Sequence, residues 1–514
     1  MQRRRFLQTM IAAAGTAGHG AWAGTLAVDA AAHAAASAEV DAYAAAFAEQ
    51  RSAHPWTLGY VGLQSDAPPM PLNARGRLPA ELRGAFYRNG PARHMLGGQR
   101  YHHLFDGDGM VQRYALSDDG IVHQGRFVRT EKYLADTEAG RPVRAAFGTN
   151  PPGADPIGSP DAINVANTSV VSHGGELMAL WEGGSATVLD ARTLATRAPK
   201  VWSAEYAGMP FSAHPKIEPD GTLWNFGVSS ARGMLSIYRV KPTGELDRAT
   251  TFAVPDIAMV HDFAVTEHYL VFLLPPLVFD ADRAAAGATF LDSHVWRPSL
   301  GMRVLVLHKD RLDTQQWFEL PAGFVFHIGN ACEERGVIRL DYIRSPSAWN
   351  ATTGMKALMR GRYEPREYPN VALLEIDPKA GRARQVLLPQ VAEFPRVDPR
   401  VVGRRYAQVF AAARVDPGPR PGFDAVIRVD VVGGQCDSYR YGRDVMVEEH
   451  VFVPRREGEG REGDGWLVGT ALDLARRQML FSVFDARRLS DGPVMQATMP
   501  RVMPLGLHGI FVPA

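Results

Sequence analysis

Only two cysteines, Cys332 and Cys436, stand in the 514 residues, and they form no C-x-x-C pair. A disulfide framework and a dithiol redox motif are therefore excluded, and both side chains read as small buried residues. The chain also lacks the run of roughly 18 apolar residues that a membrane-spanning helix needs. Charge of one sign is missing too. The 56 basic and 55 acidic residues leave a net charge of +1, which gives no electrostatic footprint for nucleic acid or a strongly anionic membrane. Neither partner is expected. What is present, 46% hydrophobic and 22% charged residues, is the composition of a globular protein with a large core.

The N-terminus carries Arg3-Arg4-Arg5-Phe6-Leu7, a mildly apolar stretch from Met10 to Ala17, and the small residues Ala21-Trp22-Ala23. This resembles a twin-arginine export signal. The resemblance implies a periplasmic home; the rival reading is a disordered Ala-rich leader. Residues 1–30 are assigned to this signal and 31–55 to an Ala-rich linker, helix-prone up to Glu49. A single domain is expected over 56–514.

From about Trp56 onward, short β-branched and aromatic runs alternate with Gly, Pro, Asn and Asp clusters, as in Tyr269 to Leu274, Val337 to Tyr342 and Val426 to Val432. That rhythm favours an all-β barrel, sandwich or propeller, and a closed array of blades would leave few exposed edges. Two stretches depart from it. Pro275 to Arg297 reads as an apolar lip for peripheral membrane contact or a tunnel mouth, and Arg455 to Asp464 as a solvated charged loop. Asp106-Gly107-Asp108-Gly109 lacks the downstream ligands of a calcium loop and reads as a tight turn.

Four of the sixteen histidines share a context. His214, His261, His327 and His508 each follow a small or apolar residue at a strand edge, where a polar side chain needs a buried partner. They are too far apart in sequence for a local finger site. Only a fold that brings distant strands to one axis could unite them, as a propeller does.

The surrounding segments resemble the carotenoid cleavage oxygenase family, which includes apocarotenoid oxygenases, lignostilbene dioxygenases and the retinal pigment epithelium isomerohydrolase. They are Gly84-Ala85-Phe86-Tyr87-Arg88-Asn89-Gly90-Pro91, Phe105-Asp106-Gly107-Asp108-Gly109-Met110, Ala213-His214-Pro215, His261-Asp262-Phe263, Phe326-His327-Ile328-Gly329-Asn330 and His508-Gly509. The resemblance spans the chain from about residue 56 to the end. It implies a seven-bladed β-propeller with a helical or loop cap over the metal face, and one Fe(II) per subunit held by His214, His261, His327 and His508. Imidazole alone suits several metals, so iron is an implication of the family. Glu182, Glu393 and Glu449 are implied as carboxylate partners of His261, His327 and His508 respectively. His450 stands where the family usually has Pro, and Glu448 is adjacent to Glu449. Thr168 matches a residue whose methyl group crowds a coordination position; the alternative is an ordinary strand threonine. Cys332 replaces a larger residue and could alter packing behind His327.

The implied reaction is oxidative cleavage of a conjugated C=C bond by O2, with a lipophilic apocarotenoid or carotenoid as substrate. The alternatives are a stilbene or phenylpropanoid dioxygenase, a non-redox isomerohydrolase and a non-catalytic propeller. Tyr101 and Lys132 are candidates for gripping a phenolic hydroxyl, although Lys132 also reads as a side chain snorkelling to the surface.

Overall fold

The computed structural model describes residues 41–257, 259–416, 418, 420–455 and 460–514. The export-signal assignment, the start of the linker and part of the 455–464 loop lie outside the described residues.

The strands assemble into seven antiparallel blades, numbered here in chain order. Blade 1 is built from Ala67–Pro71, Gly84–Arg93, Asp108–Ser117 and Gly120–Phe127, and blade 2 runs from Ser169–His173 to Thr196–Pro199. Blade 3 runs from Lys216–Ile217 to Leu246–Ala253, and blade 4 from Phe263–Val265 to Arg311–Leu320. Blades 5 and 6 share one long strand, Arg382–Arg396. Its first part pairs with Asn370–Asp377 in blade 5, and from Ala392 onward it pairs with Gln408–Ala413 in blade 6. Blade 7 starts at Val445–Pro454. The ring is tied at both ends of the domain: Gly509–Pro513 adds to blade 1 beside Gly84–Arg93, and Asn73–Gly76 adds to blade 7 beside Met495–Met499.

Burial on both faces explains the continuous apolar runs. In Tyr269–Leu274 of blade 4, Leu270, Phe272 and Leu274 enter the core shared with blade 3, while Val271 and Leu273 enter the core shared with blade 5. The period-2 alternation of a strand thus feeds two inter-blade cores at once.

The expected cap is present. It includes the helix Glu131–Ala139, capped by Thr130 and ended by Gly140 at φ 65°, and the turn-and-helix Asn350–Leu358. Left-handed backbone at the C-cap is the position where glycine costs least. The helix Ala42–Arg51 packs here too: Tyr43 stacks on His102 at 4.0 Å, and the Arg100 guanidinium lies 3.5 Å from the Phe47 ring centre. This part of the Ala-rich stretch therefore belongs to the folded body rather than to a linker.

Two sequence expectations are corrected. Cys436 is exposed; only Cys332 is buried. Asp106 to Gly109 is no tight turn but a passage from a short 3-10 helix into the strand Asp108–Ser117, with both aspartates fully buried. The stretch Pro275 to Arg297 turns most of its apolar groups inward. Leu277, Val278 and Leu291 are buried, and Phe290 alone among its large apolar side chains is substantially exposed, at 45%.

Candidate metal centre

Three of the four histidines lie immediately before an inner strand: His214 before blade 3, His261 before blade 4 and His508 before the closing strand of blade 1. His327 lies on the inner strand of blade 5, where the pairing register shifts between Val325 and Ile328. Such a bulge re-aims a side chain. All four rings converge. Nε2 of His214 lies 2.9 Å from that of His261, which lies 3.3 Å from that of His327, which lies 3.1 Å from that of His508. The four ligand atoms fall within 4.8 Å of one another.

The remaining blades supply carboxylates. Glu182 of blade 2 pairs with His261 Nδ1, and Glu393, on the shared strand where it enters blade 6, pairs with His327 Nδ1. Glu449 of blade 7 meets His508 Nδ1 at 2.8 Å. Each of the seven blades thus contributes one group, four imidazoles and three carboxylates.

This pattern fixes the tautomers. An Nδ1 proton donated to a carboxylate leaves Nε2 as a lone pair, so three lone pairs, and the Nε2 of His214, point at one small volume. Burial and the three neighbouring rings hold His214 well below the ordinary histidine range, and burial pushes His508 down to about 3. His261 shifts the other way: burial would lower it, but Glu182 overcomes this and raises it above the ordinary histidine value. Converging imidazoles are the donor set of a divalent transition metal, and these residues could hold one.

Glu449 is the most elaborately held of the three. Burial alone would push its carboxyl up, but Arg396 and His508 overcome this and hold it well below the usual carboxylate range. Arg396 grips both oxygens, Nε to Oε1 at 2.8 Å and Nη2 to Oε2 at 3.1 Å, and the Gly509 amide donates to Oε2 at 2.7 Å. Fully buried Arg88 reaches Oε2 at 3.4 Å and donates to the Leu507 carbonyl at 2.9 Å. Glu448 instead accepts the Gly506 amide, and His450 is engaged by the Glu448 carbonyl and Tyr441.

Sequence reasoning did not single out several groups that hold this cluster. Asn89 donates to the carbonyls of Ala166 and Ser169, its amide donates to the His508 carbonyl, and its own carbonyl accepts the Leu507 amide. Asp262, next to His261, accepts the amide of Ile328, next to His327, at 2.8 Å and pairs with Lys216 at 2.8 Å, two residues beyond His214. One carboxylate thus ties three histidine segments together. Phe394 has φ 58°, a strained conformation for a non-glycine residue. It lays its ring on His327 and against His508. Arg88, Asn89 and Asp262 stood inside the quoted motifs; nothing local marked Arg396 or Phe394.

A cavity of about 250 Å³ opens on His261, His327 and His508. Its wall is largely aromatic and aliphatic, including Phe105, Phe326, Trp349, Phe394 and Phe423, and Thr168 also lines it. Lys132 does not reach the surface. It is fully buried, with Nζ 2.7 Å from the Tyr101 hydroxyl, 2.7 Å from Asp136 and 3.3 Å from Asp108. Neither Tyr101 nor Lys132 lines the cavity. Cys332 packs with Tyr406 and Val409.

A ring of seven blades that focuses four imidazoles beside an apolar cavity defines a propeller with an all-histidine centre, suited to a metal and a lipophilic small molecule. The chain belongs to the carotenoid oxygenase family: the family model described as retinal pigment epithelial membrane protein matches residues 61–513. It is accordingly an oxygenase-type enzyme. It is 32% identical over 485 residues to apocarotenoid-15,15'-oxygenase of Synechocystis sp., covering 90% of this chain and 97% of the relative. It is 30% identical over 490 residues to lignostilbene-alpha,beta-dioxygenase isozyme III of Sphingomonas paucimobilis, covering 90% and 98%. The crystal structure of the cobalt-substituted Synechocystis enzyme superposes with a TM-score of 0.82 at 30% identity, over 90% of this chain and 98% of that one.

Proposed function

We propose that this protein is an Fe(II)-dependent dioxygenase that cleaves a conjugated C=C bond of an apocarotenoid or carotenoid, with His214, His261, His327 and His508 as the iron ligands. The observation that carries the reading is the convergence of four imidazoles, three of them backed by carboxylates, at the inner end of an aromatic cavity. The apocarotenoid relative supports the substrate class.

The chemistry supplied by a bound ferrous ion is the activation of O2. The protein's residues do the rest. Glu182, Glu393 and Glu449 hold the three Nδ1 protons and so keep each Nε2 unprotonated. Phe105, Phe326 and Phe394 line the cavity around the histidines, where they orient a flat polyene and exclude water. Thr168 stands on the same wall and narrows the space open to substrate. The reaction balances without a protein acid or base: one alkene and one O2 give two carbonyl compounds.

The second reading, a stilbene or phenylpropanoid dioxygenase, is favoured by the lignostilbene relative. Against it, Lys132 and Tyr101 are bonded to each other and to buried aspartates, away from the cavity. Incubation of the iron-loaded protein with O2 and a panel of apocarotenoids and hydroxystilbenes decides between them. Aldehydes from the polyenes, with matching oxygen uptake, are expected; cleavage of stilbenes alone would replace the first reading by the second. Export to the periplasm is part of the same proposal, tested by fractionating cells that carry Arg3→Lys, Arg4→Lys.

A further inference from the structure

The cavity wall is largely apolar around the histidines but also carries polar side chains, Glu364, Glu367 and Arg414 among them. Glu448, 3% exposed, lines the cavity together with Tyr60, 6% exposed. Oε1 of Glu448 accepts the Gly506 amide. Among the described residues no donor lies within hydrogen-bond reach of its Oε2, and the Tyr60 hydroxyl likewise has no hydrogen-bond partner. Both atoms are accessible from the cavity rather than sealed in protein, so a bound ligand can partner them. Two carboxylates nearby are served within the protein: Glu449 by two arginines and an amide, Glu393 by His327 and the Phe394 amide.

We infer that Glu448 and Tyr60 form a recognition site for a hydroxyl group of the substrate, so that the enzyme selects a hydroxylated conjugated alkene over the corresponding hydrocarbon. A hydroxyl both donates and accepts. Its proton would go to Glu448 Oε2, and its oxygen would accept the Tyr60 proton. Tyr60 is suited to donate, because burial, then Tyr363 and Glu448, hold its hydroxyl protonated, with Arg420 opposing. Glu448 is also spaced to set register: Gly506, which it holds, lies two residues before His508. The hydroxyl would thus be fixed relative to the histidine cluster, and with it the position of the double bond. The inference rests on the proposed function only for the conjugated nature of the ligand.

The test compares equilibrium binding of a hydroxylated polyene and its deoxy counterpart to the full-length protein, followed by quenching of tryptophan fluorescence, Trp349 being in the wall. A hydrogen bond to a charged group predicts a preference of about ten- to a hundredfold for the hydroxylated ligand. In Glu448→Gln, which keeps an oxygen for the Gly506 amide, that ratio should collapse toward one; Tyr60→Phe should lower it less. Absence of a preference in the unaltered protein, or equal loss for both ligands in Glu448→Gln, overturns the inference. Hydroxyl-selective binding without cleavage would instead sink the proposed reaction and leave the recognition site standing.

Discussion

His508 and Glu449 meet through Nδ1 and Oε1 at 2.8 Å across 59 residues of sequence, and the carboxylate is itself clamped by Arg396. Replacing Glu449 by Gln removes the charge that both Arg88 and Arg396 face. Metal affinity should fall about 10- to 100-fold, and the melting temperature should drop, since buried Arg88 loses the carboxylate it pairs with. Iron titration and calorimetry check both. Full affinity in the variant would show that the clamp does not bear on the metal.

His261→Ala should abolish stoichiometric iron binding and alkene cleavage while the circular dichroism of the β-fold persists, because the ring lies at the axis and not in an inter-blade core. For the unaltered protein, added Fe(II) at about 100 times its Kd should raise stability by about 2.7 kcal/mol, and a chelator should remove that increment. An active, iron-replete alanine variant would refute the ligand assignment.

Lys132→Met leaves Asp108 and Asp136 without their shared ammonium in a fully buried site. Breaking such a pair costs about 3–5 kcal/mol, so denaturant midpoints should fall sharply. If the residue instead serves a phenolic substrate, stability should change little while KM for hydroxystilbenes rises.

How far the sequence spoke depended on whether a residue's role is local. The four histidines and their glutamates sat in recognisable segments, and Glu449 rather than Glu448 proved to be the partner of His508. Lys132 was harder to read because Arg129-Thr130-Glu131-Lys132 looks like a solvated helix start; its burial depends on Asp108, 24 residues away, and on the Tyr101 hydroxyl. Arg88 and its partner are 361 residues apart, a pairing that only blade closure creates. The apolar look of Pro275 to Arg297 has a cause that lies far away in sequence: Leu277 packs in a core with Phe324 and Ala348.

Mild acid should destabilise the protein through its buried histidines. Burial pushes His94, His123 and His450 each down to about 3, so below the unfolded value of about 6.5 the unfolded chain binds protons that the folded one refuses. Stability therefore falls as pH drops from about 6.5 toward 3. Asp106 and Asp341, pushed up to about 6 by burial, work in the opposite direction between about 3.9 and 6. The histidine effect is thus cleanest between pH 7.5 and 6. Urea midpoints should decline over that interval, and His94→Leu, which removes a ring whose two nitrogens lack partners, should flatten the decline. A flat profile in the unaltered protein would contradict the assignment.

Propellers are repeat proteins, and repeat number is ordinarily the easiest property of such folds to change by duplication or loss. Here each blade carries a different part of one cluster, an imidazole from blades 1, 3, 4 and 5 and a carboxylate from blades 2, 6 and 7. Excising any blade would remove a part that no other blade can replace, and adding one would widen the ring on which all seven converge. The centre therefore fixes the blade count, and diversification of this architecture is left to the cap and the cavity wall.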